Sequence, residues 1–403
     1  MILSFLGAYS YVGYRQRSTQ ENTTQYASDA VRRVNLKLLA ATAVNRALNE
    51  LTLAPMTRTD VTGSLEGGQF KVKINDYTSD PTLGSTQVRL VACVQNGGFR
   101  DTSFVLLQYP YFSRFAYITN NEGTIWFQSG DTIKGPAHTN GYFNMNGRPA
   151  FMSSISSAQW YTAGVSPYRS QGVGPPYFAE TPNWYAPTLT FPSDVNTQRT
   201  AAATAGHSYS NATLYVQFNV DGTYQTKTSS GGAWTSHAKP TNGVVFVGPA
   251  SGTSTAYTVN VQGTVKGQYT LACQGSINIT GDIVYATDPR VNPASTDMLG
   301  LVARLNCALT NNVLNGDRTI MAHIMTMNTS VSSTTNFYNT QYSSLNSGTL
   351  HLYGGLAQVG RGAVGTVAGM GYLKDYQYDM RLQDFSPPSY PNATVLQQIY
   401  YWE

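Results

Sequence analysis

The chain has 403 residues, of which 11% are charged, 41% are hydrophobic and 12% are aromatic, with a net charge of +4 at pH 7. So small a basic excess, scattered in pairs such as Arg32-Arg33, excludes the basic stripe of a nucleic-acid-binding protein. The odd cysteine count (Cys93, Cys273 and Cys307) excludes a disulfide framework and a CxxC metal pair, leaving open one bridge from Cys273 to Cys307 or three buried thiols.

Soluble proteins carry about 25% charged residues; here Ser, Thr, Asn, Gln, Gly and Tyr supply the polarity instead. Such a surface suits an extracellular polymer, where close subunit packing would otherwise desolvate many charges. Met1–Tyr14 (MILSFLGAYSYVGY) lacks charge and is rich in apolar and aromatic residues. As a helix it rises about 21 Å, too short for a bilayer core of about 30 Å. With no Lys or Arg before Arg15, it does not read as a secretory signal. It reads as the end of a hydrophobic helix whose upstream residues are cleaved or lie outside the sequence. A polar run follows to Asp29, in which Glu21–Thr24 (ENTT) is poor helix and predicts a bent or melted junction. Val31–Leu51 then places Val31, Val34, Leu38, Ala41, Val44, Leu48 and Leu51 at helical spacing. Its lower half is expected to pack on the protein's own sheet and its upper half to enter an assembly.

Gly67–Asn75, Gln87–Val94 and Ser103–Leu107 alternate or cluster apolar residues as strands do, separated by turns at Ser79-Asp80-Pro81 and Asn96-Gly97-Gly98. From Trp126 onward the strands become short and Gly-punctuated, as in Val259–Gly267 and Ile277–Val284, with further candidates at Val244–Val247, Leu301–Leu305, Thr319–Met327 and Thr349–Gly354. This texture predicts a β-solenoid, with a β-sandwich as the alternative. Residues 159–241 fit neither pattern and read as a loop insertion. Its aromatics, Trp160, Tyr161, Tyr168, Tyr177, Trp184 and Tyr185, either pack on the solenoid or bind a neighbouring subunit or a glycan. The resulting division is an N-terminal helical stem over 1–55, an antiparallel β unit over 56–125 and a β-rich domain over 126–403.

The apolar stem, then Arg17-Ser18, Asn22 and Asp29-Ala30, then the Ala-rich helix ending Asn45-Arg46-Ala47-Leu48-Asn49-Glu50-Leu51, resembles the N-terminal region of type IV pilin-like proteins of the PilX type. Phe5 stands where a processed pilin commonly has Glu. "SGDTIKGPAHTNG", "GDIVYATDPR", "LGLVA" and "GYLKDYQYDMRL…PPSYP", in order from residue 129 to 391, are similar to the C-terminal domain attached to such stems. The resemblance implies a cell-surface or pilus association and no assigned activity.

A β-helix can also be a polysaccharide hydrolase or lyase, which needs two carboxylates across a groove. Asp282, Asp288, Asp297 and Asp317 fall in the candidate coils, but Asp after Gly more often caps a turn through backbone N–H groups. His138, His207, His237, His323 and His351 are too scattered to define a zinc site, and Asp288–Asp297 lacks the EF-hand spacing for calcium. No catalytic, cofactor or metal residues are therefore assigned.

The sequence reading is an α+β, mainly β protein: a pilin-like helix, a small antiparallel sheet and a solenoid-like body. It predicts the structural subunit of an extracellular pilus-like filament, a helical homopolymer that also admits other pilins, with membrane association only before assembly. Self-assembly falls to Met1, Ile2, Leu3, Phe5, Leu6, Tyr9, Tyr11, Val12, Tyr14, Val31, Val34, Leu38 and Ala41. The alternative is a non-polymeric or pilus-tip adhesin with a surface or glycan target; a polysaccharide-active β-helix enzyme is third. Near the C-terminus, Tyr372, Tyr376 and Tyr378 share one face of an extended segment, and the tail from Asp384 is expected to fold back and cap an open solenoid end.

Overall fold

The computed structural model describes the backbone of residues 2–53, 58–77, 87–108, 111–159, 167–366, 368–393 and 397–402, and their side chains except at 2–11, 52, 53, 77, 108 and 397–402. The turn expected at Ser79-Asp80-Pro81 and the aromatics Trp160 and Tyr161 lie outside these residues. The chain forms two units, one from residues 1–81, 85–109 and 395–403, the other from 82–84 and 110–394.

In the first unit a single helix, α1 (Ile2–Leu53), is followed by antiparallel strands β1 (Val61–Leu65), β2 (Gly68–Tyr77), β3 (Gln87–Asn96) and β4 (Phe99–Gln108). The C-terminal strand Gln397–Trp402 adds to the free side of β4, pairing Gln397 with Gln108 and Trp402 with Phe104. Strand β3 alternates: Val88, Leu90, Ala92 and Val94 are buried, while Arg89 and Cys93 are exposed. One face of the sheet is therefore apolar and needs a cover. The C-terminal half of α1 supplies it with Leu36, Leu39, Ala40, Ala43, Val44, Ala47 and Leu51. The helix does not break at Glu21–Thr24. The Thr19, Thr23 and Thr24 hydroxyls donate to carbonyls one turn back, and Arg17 Nε donates to Glu21 at 3.1 Å.

The second unit is built from parallel ladders to which coil after coil returns, a solenoid-like arrangement rather than a sandwich. The longest ladder has a stacking order that the chain order does not suggest. It begins at His207–Tyr209 and continues through Val244–Val247, Gln268–Cys273, Met298–Ala303, Arg318–Thr326 and Asn346–Gly360. The next strand is Tyr117–Asn121, the first of the unit, followed by Ala137–Thr139, Ile155–Ser157 and Asn183–Trp184. The chain thus enters mid-stack, builds to one end, crosses to the other through α2 (Asn196–Ala205), and builds back to its starting point. Entry and exit are bridged, Tyr111 to Asn392.

Val245, Leu271, Leu301, Ile324, Leu356, Tyr117, Ala137 and Ile155 occupy matching positions in this ladder, and all lie in the central core. Each large apolar side chain so buried contributes about 1.5–3 kcal/mol. Outward-facing Phe246, Ala272, Val302, Met325, Ala357 and Ile118 are buried as well, and α2, the C-terminal segment and the stretch at Leu189 bond along this unit. Gln198 Nε2 donates to the Ser389 carbonyl, Thr270 Oγ1 donates to that of Pro388, and the Asn140 carboxamide pairs with both the N–H and the C=O of Leu189. At the corner after Met321–Tyr353, Gly354 has φ +140°, and a Cβ there would run into the Ala322 carbonyl.

Further expectations are corrected. The stem and small sheet are one unit, which ends near residue 109 rather than 125 and reclaims the C-terminal strand. Residues 159–241 are not a plain loop insertion. They hold both ends of the stack, with strands at Arg169–Gln171, Tyr177–Phe178, Thr213–Phe218, Tyr224–Lys227 and Thr235–His237, and also α2. The tyrosine strand Gly371–Tyr378 lies between Asn346–Gly360 and Thr132–Lys134, so it is inside the stack and closes no open end, although the tail to Ala393 does fold back. The three cysteines are free: Cys273 and Cys307 are buried on different ladders, and Cys93 is exposed.

Candidate assembly surface

Helix α1 runs for 52 residues, about 78 Å. Its described side chains divide it in two. From Val12 to Asn35 no side chain is buried; from Leu36 onward one face is. The proposed apolar face is likewise divided. Val44 and Leu51 are buried against the sheet and Leu48 is partly buried against it, together with Leu36, Leu39, Ala40, Ala43 and Ala47. Val31, Val34 and Leu38 are 59%, 57% and 61% exposed, on the opposite side of the helix. Ala41 is half-buried. The alanines account for the shift: they let the sheet approach closely, so the covered stripe follows them and not the larger side chains.

Val12 and Tyr14 are exposed at 52% and 72%. Ile2, Leu3, Phe5, Leu6, Tyr9 and Tyr11 lie on helical backbone with side chains outside the described residues, and Met1 lies outside them altogether. No described helix is long and apolar enough to cross a membrane. The exposed stretch is not well suited to standing alone. In proteins most helical stability comes from tertiary packing of one face, which the described side chains of this stretch lack, and Ser18, Thr19, Asn22, Thr23, Thr24, Ser28 and Asp29 have lower helix propensity than Ala. Among the described residues its ion pairs, Arg17–Glu21 and Arg32–Asp29, are exposed and contribute only a few tenths of a kcal/mol each, about 0.3–0.5.

The carboxylates weighed for catalysis are occupied as caps and clamps. Asp282 accepts from Thr319 N at 3.0 Å and Asp317 from Thr349 N at 2.7 Å, each tying its turn to the next coil. Asp297 accepts from Gly267 N and Thr287 N at 2.6 and 2.8 Å, while Asp288 is forked by the Arg290 guanidinium. That fork holds Asp288 below the usual carboxylate range. Among the described residues, no three His, Cys, Asp or Glu side chains come together as a metal set. His138 is buried between Ser156 and Asn140, and burial lowers its pKa. His323 is fully buried; its Nε2–H donates to the Phe115 carbonyl at 3.0 Å and its Nδ1 accepts from Tyr390 Oη at 2.6 Å. Burial drives its pKa down to about 4. Of the 159–241 aromatics, Tyr168 and Trp184 pack on the core, whereas Tyr177 and Tyr185 are 56% and 68% exposed.

Sequence reasoning missed two charge pairs that join the first coil to the last. Arg361 Nη1 donates to Glu122 Oε2 at 2.9 Å, both side chains almost fully buried, and Lys374 Nζ donates to Asp131 at 3.1 Å. The partners lie 239 and 243 residues apart, so no local pattern marks them. Arg361 also lies 3.9 Å from the Phe127 ring centroid.

A family described as a domain of unknown function (DUF4900) matches residues 78–159. No curated protein matches the chain. Among solved structures, the competence-associated pilin ComZ from Thermus thermophilus is similar over 86% of each chain, with a TM-score of 0.34 and 10% identity.

Proposed function

We propose that this chain is a subunit of a pilin-like surface filament, assembled by burying the exposed half of α1 among neighbouring copies. The observation that carries this reading is the division of one continuous helix into a half covered by its own sheet and a half with no buried side chain between Val12 and Asn35. An unsupported helix of that composition gains stability from a partner, and a head-to-tail contact between identical chains yields an open polymer. Val31, Val34 and Leu38, with Val12, Tyr14 and the apolar residues before them, are the side chains assigned to that contact, and half-buried Ala41 borders it. The solenoid-like unit would then carry surface contacts. The reading includes an extracellular location and no catalysis, supported by the engagement of Asp282, Asp288, Asp297 and Asp317 in backbone and Arg contacts. A tip adhesin that does not polymerise is the second reading, favoured by the exposed Tyr177 and Tyr185.

The test is a chain lacking residues 1–30. The sheet-packed half begins at Leu36, so the truncated protein is expected to remain folded, with an unchanged melting temperature, and to form no filaments in electron micrographs. Filaments of ordinary appearance from the truncated chain would sink the proposal.

A further inference from the structure

A cavity of about 320 Å³ opens at one corner of the solenoid-like unit. Three successive coils turn there in register, since Thr119, Thr139 and Ser157 are aligned partners and the residues that follow them form the lining. The first coil brings Asn120, Asn121 and Glu122, the second Asn140, and the third Gln159; Thr188 closes the rim. Coils repeat at about 4.8 Å, so amide groups are presented at intervals comparable to one sugar ring. At this volume the site is at the small end of ligand pockets, which run from about 300 to 1,000 Å³. That suits one or two rings rather than a polymer groove.

The chemistry of the lining selects the ligand class. Its single ionisable carboxylate, Glu122, is buried and engaged within the fold. Tyr117 Oη donates to both oxygens, the Thr119 hydroxyl to Oε1 and Arg361 Nη1 to Oε2. No cation lines the cavity, so an anionic ligand has no counter-charge and nucleic acid has no phosphate site. What remains is carboxamide and hydroxyl. Asn121 Oδ1 is fixed by Gly123 N at 2.9 Å, which leaves its Nδ2 without a partner among the described residues, as are the Gln159 amide and the Thr188 hydroxyl. Asn140 is held by Leu189 on both sides of its amide and donates to Asn120 Oδ1 at 2.9 Å, so the wall and the rim are set before any ligand arrives. A carboxamide offers a donor beside an acceptor, and a pair of neighbouring sugar hydroxyls offers the same in complement.

We infer that this corner is a binding site for a neutral carbohydrate unit, a hexose or N-acetylhexosamine. The site is independent of filament assembly and gives the surface-exposed unit a ligand class of its own. The experiment is saturation-transfer NMR on the full chain with the methyl glycosides of glucose, galactose, mannose and N-acetylglucosamine, and with glucuronic acid as the charged comparison. At least one neutral glycoside is expected to bind with a Kd near the millimolar range, about 1 mM. The double variant Asn121→Ala with Gln159→Ala should weaken it about tenfold or more, with the melting curve unchanged. Thr188→Val, a rim substitution without backbone consequences, gives a second reading if the double variant melts early. Saturation transfer from no neutral sugar, transfer from glucuronic acid alone, or transfer indifferent to both variants would overturn the assignment. None of these outcomes bears on whether filaments form.

Discussion

The exposed half of α1 and the long ladder of the solenoid-like unit are opposite solutions to the same problem. In the central strands of the ladder, from Val244–Val247 to Arg318–Thr326, both faces are covered, and buried polar side chains of the unit are partnered within the chain: His323 between Phe115 and Tyr390, Glu122 against Arg361. In the helix between Val12 and Asn35 no side chain is buried, three threonines bond only to their own backbone, and Arg32 over the Phe99 ring is a contact with the sheet at its very end. One region is largely covered as folded; the other leaves most of its side chains uncovered. The difference separates what this chain needs in order to fold from what it needs in order to act, and substitutions can probe the two independently.

The largest effect is expected where the ladder closes on itself. Glu122→Gln leaves Arg361 buried without a counter-ion, and losing one partner of a buried pair costs about 3–5 kcal/mol. Urea melts should show that loss, and the added substitution Arg361→Met should recover most of it. No recovery would mean that the two groups do not act as a pair. Next come two adjacent leucines. Leu39 is 3% exposed and Leu38 is 61% exposed. Leu39→Ala should cost about 2–5 kcal/mol. Leu38→Ala should stay within about 0.5 kcal/mol in the isolated chain while weakening filament assembly. Equal melting losses at both positions would erase the distinction between the covered and uncovered faces.

A pH scan sharpens the ladder's side of the comparison. With His323 at about 4 in the fold against about 6.5 in the unfolded chain, the unfolded state binds more protons between those values. Stability is therefore at its plateau above about 6.5 and falls as the pH drops toward 4, by roughly 3 kcal/mol from this residue. His138, also lowered by burial, acts in the same direction. Chemical-denaturation midpoints in His323→Asn should depend less on pH over that range; an unchanged slope would remove His323 as the cause. The smallest effect is assigned to Asp282→Asn. It keeps an acceptor for Thr319 N, so the melt should shift by no more than about 1 kcal/mol, with no change in any activity toward polysaccharides. A hydrolytic or eliminative activity that vanished in this variant would return the protein to the enzyme class.

The elements of this fold were more legible than their order. Strand Val244–Val247 and the coils around Leu301, Thr319 and Thr349 announce themselves as short apolar runs between Gly, Asn and Pro. The antiparallel sheet is equally plain in the alternation of Val88 to Val94. The covered helix face was harder to read, because Ala40, Ala43 and Ala47 carry almost no hydrophobic signal, yet their smallness is what lets the sheet approach. Stacking order was not readable at all. Tyr117 beside Leu356 is a contact between the two ends of the second unit's chain, and nothing near either residue encodes it. The corner cavity was hidden for the same reason. Asn120, Asn140 and Gln159 are ordinary polar turn residues until the register of three coils places them side by side.

The mid-stack entry also bears on how such a unit can change in size. A solenoid whose termini sit at its two tips must relocate one of them whenever a repeat is gained or lost. Here Tyr111 and Asn392 stay bridged whatever happens at the far coils. Repeats can be duplicated or deleted beyond Asn183–Trp184, or before His207–Tyr209, without moving the points of attachment. Evolution thus has two independent places at which to lengthen or shorten the solenoid-like unit, while the helix and sheet of the other unit stay unaltered.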